Sequence, residues 1–488
     1  MAALIVYAIP ALLAIAFALG LATTWVLQYR LTARIPPEWR IATILLVVGF
    51  GALLSVALTS RDLNETQGGT LVIYDDLVGG FAASRWFSVF LVMASLIEVA
   101  RGWLHDRNRA SPDPARALLF AMLAYYIGTT LIQAIASDHP EFSLRALYVP
   151  ILLTAVFYQR PMRMEPVVGA ARIVILTLML GSLGGIWLNP DFVMHRPEPG
   201  WLPGIEWRLF GLTPHANSLG PIALLGILIE LHAPSRWQAV RWLVLASAAA
   251  VFVLAQSKTV WATVPMMLAL VWFPLALSRA SANGDGRRDF RRTVLAMSGV
   301  IGVLVLLAAA LVAFDVVDFI EHRGDLLTLT GRTRIWDITL HAWQENVLFG
   351  YGASIWGPDR QREYQMYYVG QAHNQVVQTL GEAGVVGLVL LLAYLGTLLI
   401  AALKTFVASR GIVLMLLTLM LVRCVTEAPM RTEGILSWNT FVHVLLVVMA
   451  CHFMRAPRPS AAQDGRRAAS AARGGSMLRR PQGLLDAR

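Results

Sequence analysis

Runs of about 20 apolar residues recur along nearly the whole chain, alternating with short connections that carry arginine. A helix rises about 1.5 Å per residue, so a run of that length crosses the hydrocarbon core of a bilayer. No water reaches peptide groups there, and a helix satisfies them by closing its own hydrogen bonds. Composition agrees, since 57% of the 488 residues are hydrophobic and 14% charged, against roughly 45–50% and about 25% in soluble domains. An ordinary soluble enzyme is excluded. The expected fold class is all-α and integral to the membrane, with about 12–13 transmembrane helices.

The runs place spans near residues 4–28, 41–59, 83–100, 116–136, 142–158, 168–188, 214–232, 238–255, 259–277, 294–314, 384–404, 411–427 and 436–454. The first lacks a basic leader and a small-residue cleavage site, which predicts a retained helix, not a signal peptide. Basic residues collect in alternate loops: Arg30, Arg34 and Arg40; Arg101, Arg107, Arg109 and Arg116; Arg160 and Arg163; Arg236 and Arg241; Arg279, Arg287, Arg288, Arg291 and Arg292; Lys404 and Arg410. Positively charged loops stay in the cytoplasm, so these are expected to face inward. The stretch 455–488, with eight arginines amid Ala, Gly, Ser and Pro, has the composition of a disordered cytoplasmic tail. The expected organisation is transmembrane helices over 1–314, an outward-facing catalytic loop over 315–383, C-terminal transmembrane helices over 384–454, and that tail. The implied location is the cytoplasmic (inner) membrane, multi-pass, with the active site on its periplasmic side.

The segment 315–383 is the one long hydrophilic excursion, and it is rich in Trp, Tyr, Ile and Leu. Ile335, Ile338, Thr339, Ala342 and Trp343 share one helical face, so a folded cap on the membrane surface is expected. Cys424 and Cys451 both lie in apolar runs without metal-ligand spacing, and neither a metal, a cofactor nor a disulfide framework is expected. The net charge of +10 is attributed to topology and to anionic membrane lipids. No stretch interleaves aromatic and basic residues as a nucleic-acid platform would. No internal repeat of the kind that marks many transporters is found.

The outward segment reads LTGRTRIWDITLHAWQENVLFGYG and later QAHNQVVQTLGEAGVVG. These elements resemble the O-antigen ligase/O-antigen polymerase superfamily of polytopic membrane glycosyltransferases. Its long periplasmic loop carries a Gly-Arg, a Trp, a Gly-x-Gly, a His-Asn pair and an E-x-G-x-x-G leading into the next helix. Here they are Gly331 and Arg332, Trp336, Gly350 and Gly352, His373 and Asn374, and Glu382, Gly384 and Gly387. An upstream block, RLFGLTPHANSLG, resembles the family's Arg-x-x-Gly…Asn element through Arg208, Gly211 and Asn217. Lys258 in QSKT stands where relatives commonly carry Ser-Arg, which keeps the charge but loses bidentate geometry. The resemblance spans roughly residues 205–430. It implies a GT-C-like, inverting glycosyltransferase with a polyprenyl-diphosphate-linked glycan as donor, and with a glycan chain (polymerase) or a lipid or protein anchor (ligase) as acceptor.

Such a reaction, without a metal, needs cationic donors for the charge that gathers on the leaving diphosphate. Arg208, Lys258, Arg332 and Arg334 are the candidates, with Arg332 foremost because it opens an amphipathic helix. The alternatives are a snorkelling anchor for Arg208, a surface charge for Arg334 and a helix-ending polar residue for Lys258. His373 is the candidate general base, with Glu382 as its alternative. Asn217, His215, Asn374 and Trp336 are candidate substrate contacts; a capping role is the alternative for His215. The four glycines of the loop are assigned to tight turns and close packing. Arg423 and Glu427, one turn apart, are expected to form an intramembrane ion pair. A transporter or flippase of lipid-linked oligosaccharide is the competing class, and a non-catalytic scaffold with polysaccharide assembly partners is a third.

Overall fold

The computed structural model describes residues 29–30, 32–59, 61–64, 66–67, 70–71, 82–107, 112–196, 202–272, 330–366, 369–432 and 434–456. The expected spans at 4–28 and 294–314, the end of the 259–277 span, the loop from Arg279 to Arg292, residues 315–329 and the tail beyond Ala456 lie outside them. The described helices are α1 (Pro37–Ala57), α2 (Ala82–Arg107), α3 (Arg116–Ile135), α4 (Tyr148–Tyr158), α5 (Glu165–Leu188), α6 (Ala216–His232), α7 (Gln238–Leu254), α8 (Lys258–Met267), α9 (Thr330–Glu345), α10 (Pro358–Glu363), α11 (Gln375–Lys404), α12 (Ile412–Thr426) and α13 (Trp438–Arg455). Two two-stranded antiparallel ribbons complete them: β1 (Thr66–Gln67) with β2 (Thr70–Leu71), and β3 (Met194–His195) with β4 (Arg208–Leu209).

The protein is an all-α integral membrane protein. Six described helices are long and apolar enough to cross a membrane, and α6, α7, α8, α12 and the segment Leu144–Tyr158 are shorter apolar helices. In α13, 72% of the apolar window is buried, against 28% in α2. So α13 runs through the middle of the bundle, while α2 turns Trp86, Phe87 and Phe90 outward. The run at 142–158 differs from expectation: a 3-10 turn, Leu144–Leu147, precedes the 11 residues of α4. At about 1.5 Å per residue α4 covers roughly half of the hydrocarbon thickness. It lies against α2, α3 and α13, with Val149, Leu152, Leu153, Val156 and Phe157 buried. Apolarity all round fits such an interior position.

Residues 330–366 and 369–372 form a cap with its own core of Ile335, Ile338, Ala342, Tyr351, Ile355, Trp356, Met366, Val369 and Ala372. The face expected on α9 is the buried one, except that Trp343 is half-buried and donates to the Val347 carbonyl at 2.9 Å. The cap is joined to the bundle at the end of α3, where Asn346 donates to the Ala136 carbonyl at 3.1 Å and His139 N–H to the Tyr351 carbonyl at 2.9 Å.

α11 begins at Gln375, nine residues before the expected span, and kinks at Gly384, whose φ is +61°. The kink frees backbone groups that the cap then satisfies. Val385 N–H donates to the Val347 carbonyl at 3.0 Å, and the Gly381 carbonyl accepts from Tyr351 N–H at 2.8 Å. The approach is so close that a β-carbon on Gly350, itself at φ +75°, would stand 2.7 Å from the Gly384 nitrogen.

Candidate active site

Two polar clusters form at the end of the bundle that carries the cap. The first is the turn at 371–375, where three amide side chains join the start of α11 to the end of α12. Asn374 caps α11, its Oδ1 accepting from Val376 N–H at 2.9 Å and Val377 N–H at 3.1 Å, and its Nδ2 donates to the Val425 carbonyl at 3.1 Å. Gln375 donates to Tyr125 Oη at 3.2 Å and accepts from Met430 N–H at 2.8 Å. Gln371 accepts from Ala428 N–H at 3.1 Å. Held between them, His373 adopts φ +49°, a left-handed conformation that is strained for a residue with a side chain and persists where the surroundings over-determine it.

The strained turn brings His373 Nδ1 to 2.9 Å from Glu427 Oε2. The same oxygen accepts from Gln371 Nε2 at 2.9 Å. Glu427 lies just beyond α12, outside the helix. Burial pushes its carboxyl up, but the hydrogen bond and charge of His373, with the charges of His215 and Arg423, outweigh this and hold it well below the usual carboxylate range. An ionised carboxylate can only accept, so Nδ1 carries a proton, and in the neutral ring it is Nε2 that presents its lone pair.

The expected ion pair between Arg423 and Glu427 is therefore corrected: among the described residues no ion pair forms between them. Glu427 has φ −149° and ψ 173°, so it has left the helix and the face on which residues four apart meet.

The second cluster joins the starts of α6 and α8. His215 caps α6, its Nδ1 accepting from Asn217 N–H at 3.1 Å. Asn217 Oδ1 accepts from Arg208 Nη2 and Ser257 Oγ, each at 3.3 Å. Ser257 is the N-cap of α8 and Lys258 its first residue. Two helix N-termini, each with a partial positive charge, thus meet beside Arg208 and Lys258, which favours an anion. α12, which ends beside Glu427, packs against both α6 and α8.

α9 brings the remaining candidates. Arg332 is half-buried in its first turn; Arg334 is exposed and donates to the Tyr364 carbonyl at 3.4 Å. Trp336 donates to the Ala372 carbonyl at 2.7 Å, which ties the helix bearing Arg332 to the residue beside His373. Glu382 stands apart from the histidine. It accepts from Gln378 Nε2 at 2.8 Å and pairs with Arg431 at 3.2 Å, beside a crevice that Tyr125, Tyr126 and Gln133 help to line.

Sequence reasoning missed Glu427 as the partner of His373, and with it Gln371 and Gln375. The available signal was an acidic residue at the end of an apolar run, where a charge requires a partner; the nearer Arg423 drew the assignment instead. It also missed Arg61, which joins the segment after α1 to the 190–213 region by donating to the carbonyls of Phe192 at 2.9 Å and Thr213 at 2.7 Å.

Residues 222–392 match the family described as O-Antigen ligase. That stretch is similar to O-antigen ligase. The matched stretch contains Lys258, Arg332, Arg334, Trp336, His373, Asn374 and Glu382, and it ends before Arg423 and Glu427. A search of curated proteins finds no match. The match supports a membrane glycan-ligating or glycan-polymerising function, with a lipid-linked glycan donor and an acceptor in the membrane.

Proposed function

We propose that the protein transfers or polymerises a polyprenyl-diphosphate-linked glycan on the periplasmic face of the cytoplasmic membrane, as a metal-independent, inverting glycosyltransferase. The observation that carries this reading is the 2.9 Å contact between His373 Nδ1 and Glu427, which orients Nε2 as a base. In the proposed step Nε2 takes the proton of an acceptor hydroxyl while its oxygen attacks the anomeric carbon from the face opposite the diphosphate. The carbon–oxygen bond to the diphosphate breaks, and the electron pair leaves with the phosphate. Arg208, Lys258, Arg332 and Arg334 meet that charge, aided by the N-termini of α6 and α8. Asn217, His215, Asn374, Trp336 and Glu382 shape the surrounding site; the hydrogen bonds above give Asn374 and Trp336 positioning roles. Residues 315–383 then form the catalytic loop, and 455–488 a cytoplasmic tail.

The deciding experiment is transfer in membranes by Arg332→Ala and His373→Ala variants, with glycan analysis of a deletion strain. Loss of product in both variants with expression retained is expected. Long chains lost while single units stay on the anchor identify a polymerase, and unattached lipid-linked polymer identifies a ligase. Intact glycan with donor trapped on the cytoplasmic leaflet would point to a flippase and overturn the reading.

A further inference from the structure

Among the described residues two arginines are buried to the same 4%, Arg61 and Arg423. They are treated in opposite ways. Arg61 donates to the backbone carbonyls of Phe192, Gly211 and Thr213. Arg423, in the last turn of α12, makes no side-chain hydrogen bond or ion pair among the described residues, and its buried Nε has no partner. The carboxylate nearest in sequence, Glu427, is turned to His373 and Gln371.

A buried guanidinium that makes no hydrogen bond is a costly arrangement even with the charge of Glu427 acting on it, and it is understandable where a ligand completes it. The position of Arg423 names the ligand's chemistry. α12 packs against α11, whose first residues follow His373, and against α8 and α6, whose starts form the Arg208–Asn217–Ser257 cluster. Arg423 therefore belongs to the element between the base and the anion-favouring helix starts. A planar fork in such a place suits two oxygens of one phosphate group.

We propose that Arg423 is a phosphate-binding residue, its guanidinium receiving the diphosphate of the glycan donor. This deepens the reading of the site given above and rests on it. The unliganded protein then carries a destabilising charge whose cost is relieved on binding.

The test uses the full chain in phosphatidylcholine nanodiscs, with inorganic pyrophosphate as probe and thermal unfolding as readout. Arg423→Met should melt above the wild type without ligand, because an unmatched charge is gone. Pyrophosphate should raise the wild-type Tm, and the shift should vanish in Arg423→Met, whose KM for donor should rise at least tenfold. A variant that melts lower than the wild type yet keeps the pyrophosphate shift makes Arg423 a structural residue and overturns the proposal. If Arg423→Met does not accumulate, Arg423→Lys carries the test: loss of the shift supports a bidentate contact, and its retention overturns one. A shift in wild type that depends on Arg423 and appears only with phosphatidylglycerol in the disc, not with pyrophosphate, assigns the site to a lipid headgroup and also overturns the proposal. Full transfer by His373→Ala would sink the functional reading alone and leave pyrophosphate binding by Arg423 standing.

Discussion

The two ends of the bundle handle charge differently. At the end away from the cap, carboxylates and arginines are matched: Asp113, its side chain 1% exposed, pairs with Arg160 and with Arg455 at 2.8 Å, Glu98 sits between Arg40 and Arg101, and Arg172 pairs with Glu230. At the cap end, Arg208 meets the neutral Asn217, Glu427 meets a histidine, and Arg423 makes no side-chain hydrogen bond among the described residues. Matched buried charges hold elements together, and removing one partner leaves the other exposed to the full desolvation cost. A buried arginine that makes no side-chain hydrogen bond among the described residues, near a base, is an arrangement that waits for an anion.

That contrast can be broken most severely at His373. Its replacement by Ala should lower transfer per folded molecule about 10²- to 10⁴-fold, the range a general base supplies, with stability lowered by roughly 1–3 kcal/mol for the lost contact to Glu427. Full transfer per folded molecule with the same loss of stability would mean that the histidine is structural and the contrast false. At the opposite end Asp113→Ala should do the reverse, costing about 3–5 kcal/mol because Arg455 loses its carboxylate and Arg160 keeps only Asp106, while activity per folded molecule is retained; urea or thermal unfolding in nanodiscs reads it.

Glu427→Gln sharpens the comparison through pH. The Glu427 carboxyl is held below its ordinary value of 4.5, so the unfolded chain binds more protons and stability rises with pH. The contribution is complete above that ordinary value and disappears as pH falls through the depressed one. Melting curves at neutral pH and at about pH 3 should therefore converge in Glu427→Gln, by roughly 1–3 kcal/mol for a charge-assisted hydrogen bond. An unchanged acid sensitivity would exclude the carboxylate. The smallest effect is expected of Asn374→Ala, about 1 kcal/mol for a lost helix cap, accompanied by a fall in kcat with KM for donor unchanged; a change in KM alone would return Asn374 to the substrate.

The membrane helices were legible because each is encoded locally. The runs expected at 168–188, 214–232 and 436–454 differ from the observed helices by only a few residues. The order of motifs from Arg332 to Glu382 was legible for the same reason, and the O-antigen ligase match covers it. The start of α11 was not, since its first turns are polar and depend on Asn374 as cap and on the cap domain as partner. Nor was the short α4, whose apolar run matches that of a full span.

Hydropathy alone determined that this chain is a helical membrane protein, because the cost of an unsatisfied peptide group in hydrocarbon leaves a 20-residue apolar run no other form. Only the tertiary structure decided what His373 touches. Glu427 lies 54 positions along the chain, as far from it as the α11–α12 pair is long, and residues so separated meet only through helix packing. The nearer Arg423 lost that carboxylate because one residue beyond a helix end the backbone turns extended, and sequence spacing ceases to predict a contact.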